Sequence, residues 1–230
     1  MAEAKNRLIE SLPRKDRVAL LDVCKHVELG LANVLADPDK PMPHAYFPTE
    51  GFISLVTRIE GSPGVEVGMI GAEGMLGAHF VLGVSTSPLH ALVQGGGFAW
   101  QVSASALQRV LRNSAALRRA LGRYVYVLME QLAHSASCLR FHQIGPRLAR
   151  WLLMCQDRSH SDSFRVTHEF LAYMLGVRRV GVTTAAGKLQ KVGLVAYQRG
   201  EIVVLDRSGL EAAACGCYAA DRHTYAAWLR

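Results

Sequence analysis

The sequence predicts an α+β protein in which a strand-rich, antiparallel N-terminal half precedes a helical C-terminal half. Two observations lead to this prediction. Between residues 41 and 102, short apolar runs alternate with clusters of Gly, Pro and Ser, which is typical of short strands joined by turns. From Ser103 to Arg158, glycine and proline are almost absent and the apolar residues recur at helical spacing.

The composition favours a globular protein that meets an anionic partner. The chain has 230 residues, enough for one large domain or two ordinary ones, and half of them are hydrophobic. The formal net charge of +7 favours nucleic acid or a membrane surface as a partner. No apolar run is long enough to span a membrane, no signal peptide opens the chain, and five scattered cysteines do not resemble a disulfide framework. We therefore expect a cytoplasmic protein without a membrane partner.

The N-terminal half is predicted to begin with helix and to continue as a roll of strands. Helix-period apolar residues run through residues 5–36, and Ser11-Leu-Pro-Arg14 is typical of a helix start. The runs "FISLVTRI", "VEVGMI", "ALVQ" and "FAWQV" then predict an antiparallel barrel or roll. The glycines of "GVEVGMIGAEGMLG" lack the spacing of phosphate-binding loops, so we assign them to tight turns.

A stripe with heptad spacing follows, at alternating steps of four and three residues up to Cys138. Such a stripe suits a partner helix, and we predict that it forms a dimer interface. The alternative is a helix packed only on its own chain. The predicted interface residues are Leu117, Leu121, Tyr124, Leu128, Gln131 and Ser135.

Gly145-Pro146 is predicted to end the long helix, because proline cannot continue a helix and restricts the residue before it. The segment "RLARWLLMCQDR" then begins a helix of its own. We therefore divide the chain into an N-terminal roll domain (1–114), a dimerisation helix (115–141) and a C-terminal domain (142–230).

The segment "THEFLAYMLGVRRVGVTTAAGKLQKVGLV", residues 167–195, predicts two short helices that meet at a steep angle. Gly176 lies where the chain must turn sharply, and glycine adopts a positive φ without a Cβ clash. Thr167 is a candidate N-cap, and Glu169 follows in the first turn. Ala172 is small where the second helix must approach. The expected inward positions complete a helix-turn-helix pattern: Leu171, Leu175, Val177, Val182 and Ala185.

The opposite face of the second helix is cationic and hydroxyl-bearing, without a carboxylate, and includes Val180, Gly187 and Lys191. In a helix-turn-helix this helix enters the major groove, where Arg can bind guanine, Thr can contact a thymine methyl or a phosphate, and Lys suits phosphate. We predict a recognition helix over 178–191. The predicted contacts with double-stranded DNA are Thr167, Arg178, Arg179, Thr183, Thr184, Lys188 and Arg199.

Behind this helix, "GLVAYQRGEIVVLD" predicts two strands, Leu194 to Gln198 and Ile202 to Leu205, joined through Arg199-Gly200. A hairpin in this place makes a winged helix-turn-helix. Arg199 would then lie at the tip of the wing, near the phosphate backbone.

The order of roll, long helix and winged helix-turn-helix resembles the Crp/Fnr family of bacterial transcription regulators over nearly the whole chain. The resemblance is most specific in "RLARWLL", "FLAYMLGVRR" and "GLVAYQRGEIVVLD". It implies a homodimer that reads a two-fold symmetric DNA site and contacts RNA polymerase. Arg179 matches the first arginine of the family's recognition helix, but Val180 replaces its glutamate and Thr184 its second arginine. The family's half-site therefore cannot be transferred.

The roll departs further from that family. Gly77-Ala78 and Leu89-His90-Ala91 stand where cyclic-nucleotide-binding members have Gly-Glu and Arg-Ser/Thr-Ala. Loss of the arginine removes the main countercharge for a phosphate, so we expect no cyclic AMP binding and leave the effector unknown. An iron–sulfur cluster is not expected, because Cys24 is the lone N-terminal cysteine. His79 and His90 leave haem sensing open, although ordinary histidines are favoured.

"CGCY", with His223 nearby, invites a metal or redox interpretation. Cys-x-Cys is not the usual structural zinc spacing, and no second cysteine pair accompanies it. We therefore predict no cofactor and no metal ligand, and leave a redox role of Cys215 and Cys217 open.

Other classes of protein fit less well. An enzyme would need a nucleophile with its base or a pair of poised carboxylates, and neither is evident, so no catalytic residue is predicted. A cupin-like small-molecule-binding protein, whose helices serve only dimerisation, is the alternative. The carboxylate-free face over 178–191 argues against it, because a protein that does not bind DNA has no need of such a face.

Overall fold

The computed structural model describes residues 4–58, 60 and 64–229. The chain begins with helices α1 (Arg7–Glu10) and α2 (Arg14–Leu21), followed by strands β1 (Lys25–Leu29) and β2 (Val34–Ala36). The helix prediction for residues 5–36 is therefore correct up to Leu21 and wrong beyond it. The helical spacing is overridden by tertiary pairing, since β1 forms an antiparallel ladder with a strand about 70 residues later, in which His26 lies opposite Trp100.

The predicted roll is confirmed, with every neighbouring strand pair antiparallel. Its further strands are β3 (His44–Pro48), β4 (Phe52–Thr57), β5 (Val65–Ile70), β6 (His90–Gly95) and β7 (Gly97–Ser103). One sheet has the order β1-β7-β3 and the other β2-β6-β4-β5. The four predicted apolar runs correspond to β4 to β7, while Ile59, in the first run, lies outside the described residues. A 3-10 helix at Ala78–Leu82 separates β5 from β6.

Three helices follow the roll: α3 (Ala104–Asn113), α4 (Ala115–Phe141) and α5 (Ile144–Ser159). Ser114 caps α4, since its hydroxyl accepts the Leu117 N–H at 3.0 Å. Gly145-Pro146 does not end the long helix as predicted. Helix α4 ends at Phe141, and Pro146 lies in the first turn of α5, where a missing N–H costs no helical hydrogen bond.

The C-terminal part contains the predicted helices and hairpin together with elements that were not predicted. Strand β8 adds a third strand to the hairpin, in the order β8-β10-β9. Helix α9 packs along α4. No helix in the described ranges is both long and apolar enough to cross a membrane. The elements are β8 (Ser163–Arg165), α6 (His168–Leu175), α7 (Arg179–Lys191), β9 (Val195–Gln198), β10 (Glu201–Val204), α8 (Arg207–Ala213) and α9 (Cys217–Trp228).

The heptad stripe of α4 faces its own chain, so the dimer interface predicted at these residues is wrong. Leu117, Leu121, Tyr124, Gln131 and Ser135 are buried, and half-buried Leu128 packs against the same core. Their neighbours are elements of the same chain, since α4 contacts β5, the 3-10 helix and α9. The alternative, a stripe packed on its own chain, describes this face of the helix correctly.

The polar members of the stripe have a structural role. The Gln131 amide lies between the roll and α9, where its oxygen accepts the Met69 N–H at 3.1 Å and its NH₂ donates to the Tyr225 hydroxyl at 3.1 Å. A buried amide with such partners costs little. The long helix is thereby fixed to both halves of the chain.

Candidate nucleic-acid interface

Helices α6 and α7 form the predicted helix-turn-helix. The Thr167 hydroxyl caps α6 by accepting the Phe170 N–H at 3.1 Å. Gly176 ends that helix with φ of 61°, a left-handed conformation that glycine adopts at little cost. The Val177 N–H donates back to the Ala172 carbonyl at 2.9 Å. These three local devices set the steep turn between the two helices.

The inward positions pack as predicted. Leu171, Leu175, Val182 and Ala185 are buried in a core shared with α5 and the hairpin, and Val177 is half-buried against it. Gly181 has a role that was not predicted. A Cβ there would lie 2.6 Å from the Ile144 side chain, so glycine lets the start of α7 approach the start of α5.

The outward face of α7 is cationic and unpaired. The side chains of Arg178, Arg179, Lys188 and Lys191 are exposed, as is Val180 at 69 % of its surface. Within the described part of the chain, none of these four cations forms an ion pair. Both arginines stand at the N-terminal end of the helix. That is the end from which this motif reads base edges.

The two threonines on this face present their methyl groups more freely than their hydroxyl protons. The Thr184 hydroxyl donates to the Val180 carbonyl at 3.0 Å, and the Thr183 hydroxyl donates to the Arg179 carbonyl at 3.1 Å. Thr183 also contacts His168 Nδ1 at 3.0 Å. Burial, together with the nearby Arg179, lowers the pKa of His168 and keeps its ring neutral. We therefore interpret the predicted threonine contacts as thymine-methyl contacts first.

The predicted hairpin is present, with Gln198 opposite Glu201 across the two-residue turn Arg199-Gly200. Arg199 and Gly200 have φ values of 50° and 82°, the paired left-handed conformation of a type I′ hairpin. The Tyr197 ring stacks on His168, with ring centroids 4.3 Å apart. The wing is thus attached to the first helix of the motif, and exposed Arg199 stands at its tip.

Comparison with known proteins agrees with this geometry. Residues 146–213 match the family described as the Crp-like helix-turn-helix domain. Residues 146–213 are therefore a Crp-like helix-turn-helix domain. A sequence search among curated proteins gives no significant match.

Solved structures of Crp/Fnr regulators share the fold at low sequence identity. A transcriptional regulator of the crp/fnr family from Eubacterium rectale superimposes with a TM-score of 0.71 at 15 % identity, covering 92 % of this chain and 99 % of that one. FixK2 from Bradyrhizobium japonicum gives 0.68 at 15 % identity, covering 84 % and 98 %. The c-di-GMP-responsive global regulator CLP from Xanthomonas campestris gives 0.67 at 17 % identity, covering 84 % and 100 %.

The roll is bonded directly to the helix-turn-helix domain. The Arg158 guanidinium of α5 pairs with Glu73 at 2.8 Å, and both side chains are largely buried. The Trp151 indole N–H donates to Glu66 on β5 at 3.0 Å. The Tyr173 hydroxyl of α6 accepts from Arg58 at 3.2 Å. The recognition helix is therefore oriented by contacts with the roll as well as by α5.

The roll positions discussed in the sequence analysis carry no free cation. Ala78 is buried in the 3-10 helix, and buried His90 contacts the Asp37 carboxylate at 2.9 Å. The space between the sheets is filled by apolar side chains, among them Phe47, Ile53 and Met75. The ring of half-buried His79 packs against the Phe80 ring, with centroids 4.7 Å apart. A phosphate would find no countercharge at these residues.

One cluster of side chains was not predicted from the sequence. The Cys-x-Cys of "CGCY" lies against Cys138 and His142 at the end of α4. A search for a second cysteine pair does not find Cys138 and His142, because they form a Cys-x-x-x-His motif. Cys138 lies 77 residues before Cys215 in the chain. The i, i+4 relation on one helix face was the available signal.

Proposed function

We propose that the protein is a homodimeric, sequence-specific DNA-binding regulator that reads a two-fold symmetric site with the helix over 178–191. It acts without catalysis, in the cytoplasm, and contacts RNA polymerase as its resemblance to the family implies. The observation that carries the proposal is the face of α7, where every cation is exposed and none has an ion-pair partner in the part of the chain that the structure describes. Unpaired cations attract phosphate and keep their donors for base edges.

The proposed contacts divide by position. Arg179, in the first turn of α7, reads a guanine through its bidentate donors. Val180, which is exposed, suits a thymine methyl. Arg178, Lys188 and Thr167 grip phosphates around the groove, and Arg199 does so from the wing.

The proposed dimer uses the outward face of α4. A second heptad series on this helix, from Gly122 to Leu139, follows each member of the buried stripe by one residue and so lies about 100° around the helix from it. Val125 of this series still packs against the core, and the other members are exposed. Among its apolar members, Met129 is 62 % exposed, Leu132 37 % and Leu139 36 %. Apolar side chains repeated at heptad spacing and left in solvent favour a partner helix of the same kind. We define the outer stripe as Gly122, Val125, Met129, Leu132, Ala136 and Leu139.

We further propose that residues 1–114 act as the control domain, 115–141 as the dimerisation helix and 142–230 as the DNA-binding domain. An effector of unknown identity would act through the roll, because Glu73, Glu66 and Arg58 connect it to α5 and α6. The cupin-like alternative assigns no role to the cationic face of α7. It predicts that neutralising that face changes nothing.

The test is a pair of variants titrated with the selected cognate duplex and a scrambled duplex at several salt concentrations. Arg179→Ala should weaken cognate binding by on the order of 1–3 kcal/mol and relax preference at one base pair in each half-site. Arg199→Ala should weaken both duplexes alike and reduce the salt slope by about one per protomer.

The matched control is Arg109→Ala, an exposed arginine on α3 outside the proposed interface. Reversed behaviour of the two test variants would exchange the roles of the helix and the wing. If neither variant differed from the control, the DNA-reading function would be rejected in favour of the cupin-like alternative.

A further inference from the structure

Four metal-ligating side chains converge at the joint between α4 and α5. Cys138 comes from the last turns of α4 and His142 from its C-cap, while Cys215 lies between α8 and α9 and Cys217 is the first residue of α9. Their ligand atoms all lie within 4.8 Å of one another. The three cysteines are buried and the histidine half-buried.

The distances are those of a tetrahedron around a zinc-sized ion. Zinc bonds of about 2.3 Å to sulfur and about 2.0–2.1 Å to nitrogen imply tetrahedral edges of roughly 3.8 Å between two sulfurs and roughly 3.5 Å between sulfur and nitrogen. The Cys138 and Cys215 sulfurs are 3.5 Å apart. The Cys217 sulfur is 3.6 Å from His142 Nδ1. A bound ion would need only small side-chain shifts.

An independent observation is the charge around the cluster. Arg147 is buried, and its guanidinium donates to the Leu175 carbonyl. It pairs with no carboxylate among the described residues. Cys138, Cys215 and the Arg150 cation lie near enough to interact with it electrostatically, and Arg150 has its own partner in Asp221. A divalent ion with three thiolates and a neutral imidazole carries a net charge of −1, which is the countercharge that this buried arginine lacks.

We propose that Cys138, His142, Cys215 and Cys217 form a structural Cys₃His zinc site that fixes the joint between the long helix and the DNA-binding domain. Four protein ligands leave no open position, which is typical of structural rather than catalytic zinc. The ligands come from either side of residue 143, where α4 gives way to α5. The Cys215 N–H also donates to the Pro146 carbonyl at 3.4 Å, so the ligand-bearing segment already lies on the start of α5. Bound zinc would replace the Cys138–Cys215 and Cys217–His142 side-chain contacts by metal–ligand bonds. These bonds would fix the angle between α4 and α5.

The experiment measures metal rather than DNA binding, so its outcome is independent of the proposed function. The reduced full-length protein is purified without chelator and its zinc content is measured by mass spectrometry. We expect one zinc per chain. Replacement by Co²⁺ should give thiolate-to-cobalt charge-transfer bands and the visible d–d bands of tetrahedral coordination.

The variants assign the ligands. Cys217→Ser and His142→Gln should each lower zinc affinity by more than the 10–100-fold typical of losing an outer-shell partner. The matched control Cys24→Ser changes a cysteine outside the cluster and should leave zinc content and cobalt spectrum unchanged. Circular dichroism reports whether each variant folds. If Cys217→Ser does not fold, the wild-type cobalt spectrum and His142→Gln decide the question.

Three outcomes would overturn the proposal. The first is a reduced wild-type protein that takes up no zinc or cobalt stoichiometrically. The second is unchanged affinity in folded Cys217→Ser and His142→Gln. The third is a Cys138–Cys215 disulfide in the isolated protein together with no metal uptake after reduction, which would make the cluster a thiol pair.

Discussion

Charged side chains are arranged in opposite ways on the recognition helix and in the interior of the roll. On α7, cations are exposed and have no ion-pair partner within the described ranges. In the roll, His90 is buried against Asp37, and Glu73 is committed to Arg158. The first arrangement keeps donors available for a phosphate-rich ligand. The second leaves no countercharge for a phosphate inside the roll.

The two ends of the molecule therefore offer a ligand different charges. The helix-turn-helix domain presents exposed cations, while the interior of the roll is packed with apolar side chains. Function at each end therefore follows from the side chains there. The predictions below test the two ends and their connection, from the largest expected effect to the smallest.

The largest effect should come from separating the proposed dimer, which would hold two recognition helices together. Met129→Asp with Leu132→Asp places carboxylates in the outer stripe, where both side chains are exposed. We expect a folded monomer whose affinity for the cognate duplex falls by about 10²–10⁴-fold, because the advantage of a second linked half-site is lost. Light scattering and duplex titration measure the two effects.

The matched control is Arg123→Glu, an exposed position on α4 next to the outer stripe. It should remain dimeric. An intact dimer in the double variant would show that the outer stripe is not the interface. Another surface would then have to hold the two recognition helices together.

The helix-turn-helix could be predicted almost residue by residue, because its determinants are local. The Thr167 cap, the Gly176 turn and the buried spacing lie within one 20-residue segment. The hairpin turn at Arg199-Gly200 is local as well. Strand β1 could not be predicted in this way, since pairing with a strand about 70 residues later decides its conformation.

Helix α4 shows why a correct periodicity can give a wrong interface. Two heptad series share this helix, one through Leu121 and Leu128 and one through Met129 and Leu132. Spacing alone does not distinguish them. The inner series is selected by β5 and α9, and α9 begins 76 residues after the helix ends. Polar Gln131 and Ser135 hinted at satisfied partners within the chain rather than at an interface seam.

A smaller effect is expected where the two ends meet. Burial raises the pKa of the Glu66 carboxyl to about 7, despite donors from Ser54 and Trp151. Between its ordinary value of 4.5 and about 7, the folded protein holds a proton that the unfolded chain has lost, so stability falls as pH rises through this window. Glu66→Gln should remove this fall. Because Glu66 keeps some solvent contact, we expect a gain on the order of 1 kcal/mol at pH ~8 and little change at pH ~5.

Urea unfolding of variant and wild type at both pH values measures the difference. Glu169→Gln, which replaces an exposed carboxyl on α6, serves as the control and should change the free energy of unfolding equally at both pH values. An identical pH dependence of Glu66→Gln and wild type would mean that the Glu66 carboxyl does not cause a loss of stability between pH ~5 and pH ~8.

The last prediction is that cyclic nucleotides have no effect, and it distinguishes the roll from the recognition helix by their ability to bind phosphate. Cyclic AMP or cyclic GMP at millimolar concentration should change neither the melting temperature nor the DNA affinity, because Ala78 and the Asp37-paired His90 offer a phosphate no cation. A ligand of the folded state at 100 times its Kd would add roughly 2.7 kcal/mol, which a thermal-shift assay resolves easily. Cognate duplex, added in the same assay, is the positive control and should raise the melting temperature through the free cations of α7. A clear shift with either nucleotide would place a phosphate site in the roll and remove the contrast between the two ends.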